Sequence, residues 1–357
     1  MSDEATPSHP GSPFWVAFRY VVGIGVGAFV LILLFGKRHE FDAALHQVRH
    51  LNIGWEGGAF AAEALSIVGY ASLQHRVLDW SGATIKLRSL TMVSLANNAI
   101  AYTIPGEPAV SSAYRYRFFR RHGASAASSA WTILTILIAQ AIGMSLLLLV
   151  GVLSALTGRS SANETGLAVV GLVVVVGAGT ILVRRDLLLR CINLLVRGAR
   201  RVTGHPRGDI AARIENALAR MREIPLSRQR TLKLVAMATG LWFLDFLCLI
   251  CCFGAVHATI PWHGVLLAYG GAQIAAALPL VPGGLGIVEG SLAVILVAYG
   301  AKKIPALAVV VVYRLLTFWL AVLVGWICLG IIEWQWRRSR SITFSDGASL
   351  SVTDIRE

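Results

Sequence analysis

The feature that most constrains this chain is a series of apolar stretches, each about as long as a bilayer is thick. A membrane-spanning helix needs roughly 20 mostly apolar residues. The windows that meet this requirement are Trp15–Gly36, Ile53–Leu73, Ala124–Leu156, Gly166–Val183, Leu232–Val256 and Leu307–Ile332. Only 14% of the residues are charged, against about 25% in soluble domains. The sequence therefore predicts an all-α polytopic integral membrane protein with about six full spans.

Two further apolar stretches, Leu90–Ile104 and Val265–Tyr299, are interrupted by proline and glycine. Non-helical backbone at membrane depth is tolerated only where protein or water covers it, and transporters use such broken helices to build binding sites. We therefore expect two re-entrant or broken segments, and their entry from opposite faces suggests an inverted repeat. The alternative is that these residues only kink ordinary spanning helices. The predicted hinge residues are Pro105, Gly106, Pro279 and Pro282.

Lysine and arginine near membrane spans gather on the cytoplasmic side. Basic residues concentrate in loops 75–123 and 184–230 and in the flank 337–340. All of them lie inside only if Leu90–Ile104 enters the membrane and returns. Val265–Tyr299 must then begin and end outside, either as a re-entrant hairpin or as two tightly coupled helices. The expected protein is a multi-pass protein of the bacterial plasma (inner) membrane with both termini cytoplasmic.

The expected organisation is a cytoplasmic tail over 1–13, a membrane domain over 14–335 and a disordered cytoplasmic tail over 336–357. Loop 184–230 is predicted to hold an amphipathic helix, which lies on the cytoplasmic leaflet or packs on the protein itself. The net charge of +13 does not indicate nucleic acid, because the basic residues flank membrane helices beside anionic headgroups. Without a metal-ligand pattern, a nucleophile signature or a nucleotide-binding loop, no enzyme activity, cofactor or metal is expected.

Ionisable groups inside the apolar segments are costly, so they usually pair or serve a function. The main candidates are Glu63, Asp245, Glu289 and Arg314. Glu289 lies three residues after Gly286, in the first turn of a predicted half-helix whose positive end favours an anion. A phosphodiester could bind there while Glu289 receives a cationic group or a proton. The alternative is that Glu289 caps its own helix and pairs with Arg314.

Aromatic residues and arginines alternate over Tyr114–Arg121. The forked guanidinium group suits phosphate oxygens, and aromatic rings favour the headgroup layer of a bilayer. Arg115 and Arg117 are therefore candidates for collecting anionic headgroups from the inner leaflet. The alternative is that these arginines only fix the orientation of the chain in the membrane.

Three sequence pieces resemble the flippase-like membrane domain of the lysylphosphatidylglycerol synthase family. They are Asn97-Asn98 through Pro105, Arg115-Tyr116-Arg117 followed by Gly123, and Pro282–Gly286 with Glu289. Many relatives carry a Gly-Glu pair with an arginine three residues later, but Val110 occupies that position here, so Arg115 or Arg117 would replace it. The resemblance implies a substrate-binding set of Asn97, Asn98, Glu107, Arg115, Arg117, Gly283, Gly284, Gly286 and Glu289. Arg314 is added to this set as the intramembrane charge expected to act with Glu289.

Larger members of this family carry a soluble aminoacyl transferase domain after the membrane part, and no such domain is expected here. The resemblance therefore implies a lipid translocator and not a lipid synthase. The expected substrates are lipids with a polar headgroup, such as an anionic or aminoacylated phospholipid, a glycolipid or a hopanoid. Besides these lipids, the candidate partners are a second copy of the chain in a homo-oligomer and a lipid-synthesising enzyme. The alternative function is a non-transporting membrane scaffold or an accessory subunit of a lipid-modifying enzyme.

Overall fold

The computed structural model describes residues 51–104, 107–158, 227–277 and 282–350, and all secondary structure in these ranges is helical. The predicted spans Trp15–Gly36 and Gly166–Val183, the amphipathic helix of loop 184–230 and the tail 1–13 lie outside the described residues. The helices are α1 Ile53–Trp80, α2 Leu87–Thr103, α3 Glu107–Arg121, α4 Ala126–Gly158, α5 Arg228–Ala255, α6 Val265–Ala277, α7 Ile287–Ala298, α8 Lys303–Arg314 and α9 Ala321–Leu350. A 3₁₀ turn covers Pro282–Gly284, and a π-helical segment, Leu315–Leu320, joins α8 to α9.

Three helical stretches in the described part are long and apolar enough to cross a membrane. They are Ala126–Ala155, Arg228–Ala255 and the continuous run Lys303–Arg338, which correspond to three of the predicted spans. The predicted span Ile53–Leu73 lies within α1, a 28-residue helix that does not qualify as apolar enough. Its sequence includes the charged residues Glu56, Glu63 and Arg76. The fold is thus the expected all-helical membrane class.

Large apolar side chains project outward from the long helices. Leu137 on α4, Leu232 on α5 and Leu323 on α9 are each more than 60% exposed. Soluble monomers rarely expose broad apolar surfaces, whereas lipid tails accept them. The outward-facing side chains therefore agree with a bilayer environment.

The first interrupted segment forms a helical hairpin. The α2 helix has 17 residues, which corresponds to about 26 Å. At the far end of the returning α3, Phe118 and Phe119 pack in one cluster with Leu90 and Val93 near the start of α2. The chain therefore turns back after Ile104, and both arms of the hairpin end on the same side.

The second interrupted segment is also a hairpin, built from two short antiparallel helices. A side chain on Gly264 would collide with the ring of Tyr299, and one on Gly271 would lie 3.1 Å from Ile295. With 13 and 12 residues, α6 and α7 are each about 18–20 Å long. A full span needs about 30 Å, so this geometry favours a re-entrant hairpin over two full spans.

Close helix packing places the two hairpins. On α9, Gly325 lies directly against the Leu95 carbonyl group of α2, and small residues of this kind let membrane helices approach closely. The α1 and α5 helices run antiparallel, with the Asn52 amide donating to the Ala255 carbonyl at 3.0 Å. These pairings bring the tip of the first hairpin next to the π-helical segment.

The last helix extends further than the sequence indicated. We predicted a disordered tail over 336–357, but α9 continues to Leu350. Once a helix exists, each added residue gains one hydrogen bond without a new nucleation cost, which accounts for helical structure over 336–350. Residues 351–357 lie outside the described residues.

Candidate functional site

The turn at the tip of the second hairpin requires glycine. The φ angles are +62° at Gly283, +62° at Gly284 and +82° at Gly286, and glycine adopts such values without the steric cost that other residues have. This backbone ends the first arm of the hairpin and starts α7. Among the predicted hinge residues, Pro282 begins the 3₁₀ turn, whereas Pro279 lies outside the described residues.

Both carboxylate oxygens of Glu289 are occupied. Oε2 accepts a hydrogen bond from the Gly286 amide at 2.6 Å, and Oε1 accepts one from Nε of Arg314 at 2.5 Å. Of the two alternatives drawn from the sequence, the structure has the helix cap and the ion pair. The positive end of α7 is therefore neutralised by the chain's own carboxylate rather than left open for a phosphodiester.

Arg314 is buried and connects the ion pair to the turn. Its Nη2 donates to the Gly283 carbonyl at 3.0 Å, and the guanidinium carbon lies 4.4 Å from the centre of the Phe318 ring. A guanidinium group has five N–H donors, and Nη1 has no hydrogen-bond partner among the described residues. The π-helical segment begins at the next residue, a feature often found at functional sites. Arg314 thus retains donor capacity in an apolar environment.

The tips of the two hairpins meet beside this ion pair. The Tyr102 ring, at the end of α2, stacks on the Phe318 ring with 5.1 Å between their centres. The Tyr102 carbonyl oxygen lies 3.1 Å from the position that a Cβ on Gly283 would occupy. The two segments that the sequence predicted to be broken therefore come together at one place, beside Glu289 and Arg314.

A second polar cluster surrounds Asp245 on α5. Its carboxylate accepts hydrogen bonds from the Tyr269 hydroxyl at 2.7 Å, from Nε2 of Gln273 at 3.0 Å and from the Tyr313 hydroxyl at 3.0 Å. Sequence reasoning identified Asp245 but missed these three partners. The available signal was the spacing of Tyr269 and Gln273, which places two polar groups on one face of an otherwise apolar helix. Because Tyr313 precedes Arg314 in the chain, the Asp245 cluster adjoins the ion pair.

The two predicted phosphate-binding arginines lie elsewhere. Nη1 of Arg115 donates to the Tyr70 hydroxyl at 2.5 Å, and the guanidinium of Arg117 lies 5.8 Å from the centre of the Trp336 ring. Arg115 is eight residues past the start of α3, or about 12 Å along its axis. The arginines therefore line the returning arm of the first hairpin, and the structure does not bring them to the Glu289 ion pair.

The remaining predicted residues are spread along the first hairpin and α1. Asn97 is buried, and its Oδ1 accepts no hydrogen bond from the described residues. Asn98 and Glu63 are half-buried. Glu107 begins α3, but its side chain, like Pro105 and Gly106, lies outside the described residues.

The geometry defines a helical membrane protein with two broken hairpins that converge on a buried ion pair. The sequence model of the lysylphosphatidylglycerol synthase TM region matches residues 20–325 of the chain. The chain therefore belongs to the lysylphosphatidylglycerol synthase transmembrane-region family. No curated protein matches it.

Proposed function

We propose that this protein moves a lipid with a polar headgroup between the leaflets of the bacterial plasma membrane, without an enzymatic step of its own. The observation that carries the proposal is the Glu289–Arg314 ion pair at the point where the two hairpin tips meet. Broken helices that place charged groups near the bilayer midplane are a recurring design of transporter binding sites. Membership in a family named for a lipid synthase supports a lipid as the substrate.

The ion pair suits a headgroup that carries both signs of charge. Removing one partner of a buried ion pair costs about 3–5 kcal/mol, because the other charge is left uncompensated. A phosphate that binds Arg314 and an ammonium group that binds Glu289 replace both partners at once. An aminoacylated phospholipid offers these two groups, whereas an uncharged glycolipid or hopanoid offers neither. We therefore place a zwitterionic or aminoacylated phospholipid first among the candidate substrates.

The arginines of α3 have an accessory role in this proposal. Arg117, Arg120 and Arg121 are exposed, so their guanidinium groups are available to the phosphates of anionic lipids. Basic residues at the cytoplasmic leaflet attract such lipids with about 1 kcal/mol each. The returning arm of the first hairpin would concentrate lipid near the site, and the ion pair would handle the headgroup.

Lipid movement by the purified protein tests the proposal. Wild-type protein is reconstituted in liposomes with a headgroup-intact lipid that carries a fluorescent tail, and a membrane-impermeant quencher reports the outer-leaflet fraction over time. We expect movement that protein-free liposomes lack. The Glu289→Gln variant, which leaves Arg314 without its anionic partner, should reduce the initial rate by about tenfold or more, which corresponds to about 1.4 kcal/mol of lost stabilisation.

The matched control is Glu56→Gln, a carboxylate in the first turn of α1 that should leave the rate unchanged. Equal rates for wild type and Glu289→Gln would remove the ion pair from the mechanism. Wild-type protein no faster than empty liposomes, together with stoichiometric capture of a lipid-modifying enzyme, would favour the scaffold alternative.

A further inference from the structure

Glu63 and Asp245 lie at the same level of two packed antiparallel helices. Before Glu63 along α1, a side chain on Gly58 would lie 3.5 Å from Sγ of Cys251 on α5. After Glu63, the Ser66 hydroxyl donates to the Leu241 carbonyl of α5 at 3.3 Å. Glu63 lies between Gly58 and Ser66 on α1, as Asp245 lies between Leu241 and Cys251 on α5. The two carboxyl groups accordingly interact electrostatically.

The two carboxyl groups have different surroundings. Asp245 accepts hydrogen bonds from three side chains, of which Tyr269 and Tyr313 are almost completely buried. Such donors stabilise a carboxylate. The Glu63 side chain makes no hydrogen bond to the described residues. Asp245 is therefore the fixed anion of the pair, and Glu63 is the group that can change its charge.

Among the described residues, the charges around this pair do not balance if every group is ionised. Glu63, Asp245 and Glu289 are three carboxyl groups, and Arg314 is the cation that interacts with Asp245 and pairs with Glu289. Uncompensated charges inside a membrane protein are costly and are relieved by pairing or by proton uptake. A proton on Glu63 removes one negative charge without a further side chain.

We propose that Glu63 is a proton-binding site and that its charge controls the Glu289–Arg314 ion pair. The control of lipid movement by Glu63 rests on the proposed function, whereas proton binding at Glu63 does not depend on it. With Glu63 protonated, Arg314 stays on Glu289, as in the structure. When the proton leaves to water, the added negative charge beside Asp245 draws Arg314 away from Glu289 and frees that carboxylate for a cationic headgroup. Tyr313, which donates to Asp245, and Arg314, which pairs with Glu289, are consecutive residues of α8. One helix therefore connects the carboxyl pair to the ion pair.

In the part of the chain that the structure describes, few other titratable groups face this pair. On α5 they are Cys248 and Cys252, on α6 Tyr269, and on α8 Tyr313 and Arg314. The described side chains of α4 include no ionisable group, and those of α2 are Arg88 and Tyr102, near its two ends. On α1 itself, Glu56 lies two turns away. With Asp245 held as an anion by its three donors, a pH response of this cluster should therefore come from Glu63.

Infrared difference spectroscopy of the reconstituted protein tests the proton site directly. A protonated carboxylic acid has a C=O stretch distinct from that of a carboxylate, so a pH titration reports its proton. We expect a carboxylic acid band that titrates in wild type, is absent in Glu63→Gln and persists in the control Glu56→Gln. Glu63→Asp should shift the band and its titration, which provides a second readout if Glu63→Gln folds poorly.

The lipid-movement assay then tests the coupling. In wild type the rate should rise with pH over the range in which the band disappears, by about tenfold per pH unit at most for one titrating proton. Glu63→Gln, which mimics the protonated form, should move lipid at the low-pH rate at every pH. A wild-type spectrum without the band, a band that persists in Glu63→Gln, or a response to sodium at constant pH would overturn the proton site. A normal band without lipid movement in wild type would instead overturn the proposed function.

Discussion

Arg314 donates a hydrogen bond to the main-chain carbonyl of Gly283, 31 positions earlier in the chain. This contact attaches the buried cation at the end of α8 to the turn in which the second hairpin is broken. The same guanidinium holds Glu289, which caps the helix that follows the turn. The non-helical backbone and the ion pair therefore form one unit, and a change in either should affect the other.

The ion pair should contribute strongly to stability. We expect Arg314→Gln to lower the free energy of unfolding by about 3–5 kcal/mol, because Glu289 is left as a buried charge without its partner. The double variant Glu289→Gln/Arg314→Gln should regain part of this loss, since no charge is then unpaired, but it should not regain lipid movement. Thermal unfolding in detergent measures the first effect, and the liposome assay measures the second.

The exposed Arg88→Gln variant is the control for this series and should behave as wild type. Equal stability of Arg314→Gln and Arg88→Gln would mean that the pair has no structural role.

Adding a single methyl group at Gly283, in the turn of the second hairpin, should destabilise the protein. In Gly283→Ala, the new Cβ meets the Phe318 ring and the Tyr102 carbonyl, at a φ angle of +62°. A non-glycine residue in such a conformation costs about 1–3 kcal/mol. We expect a lower unfolding temperature and slower lipid movement. Gly290→Ala, in α7 with no neighbour within 4 Å of its Cβ position, is the matched control and should leave both measurements unchanged.

Packing between α2 and α9 should hold the first hairpin in place. A Cβ on Gly325 would overlap the Leu95 carbonyl oxygen, whereas a Cβ on Gly330 of the same helix would meet nothing within 4 Å. Gly325→Ala should therefore destabilise the protein by about 1–3 kcal/mol, as expected for overpacking, and Gly330→Ala should not. Thermal unfolding of the two variants under identical detergent conditions makes the comparison. Indistinguishable variants would show that the two helices are not in close contact.

The local stability of α3, the returning arm of the first hairpin, should depend on its contacts with the Trp336 ring. Arg117 and Arg121 lie over its ring, the latter at 4.1 Å from the ring centre, and each such contact contributes about 0.5–1 kcal/mol at exposed sites. Trp336→Leu should therefore speed amide hydrogen exchange in the second half of α3. The control Trp334→Leu removes an exposed ring that contacts Arg338 of its own helix, and exchange in α3 should be unaffected by it.

The sequence predicted the helical membrane class, both broken segments and the alternative in which Glu289 pairs with Arg314. These features depend on local signals, namely apolar length, proline and glycine breaks, and charges at membrane depth. It did not predict that the hairpin tips meet at Tyr102 and Gly283, because that contact joins residues far apart in the chain. For the same reason, Tyr70 and Trp336 were not recognised as partners of the arginines.

The most direct test of the central claim is a photo-crosslink from the point where the hairpin tips meet. A photoreactive phenylalanine analogue replaces Tyr102, and the protein is reconstituted with a phospholipid labelled only on its headgroup. The control position is Phe60, whose side chain is 53% exposed on α1. If the headgroup passes the Glu289–Arg314 pair, we expect strong labelling from position 102 and weak labelling from position 60. The labelling from position 102 should be lost in the Arg314→Gln background. Labelling at position 102 no greater than at position 60 would contradict the account.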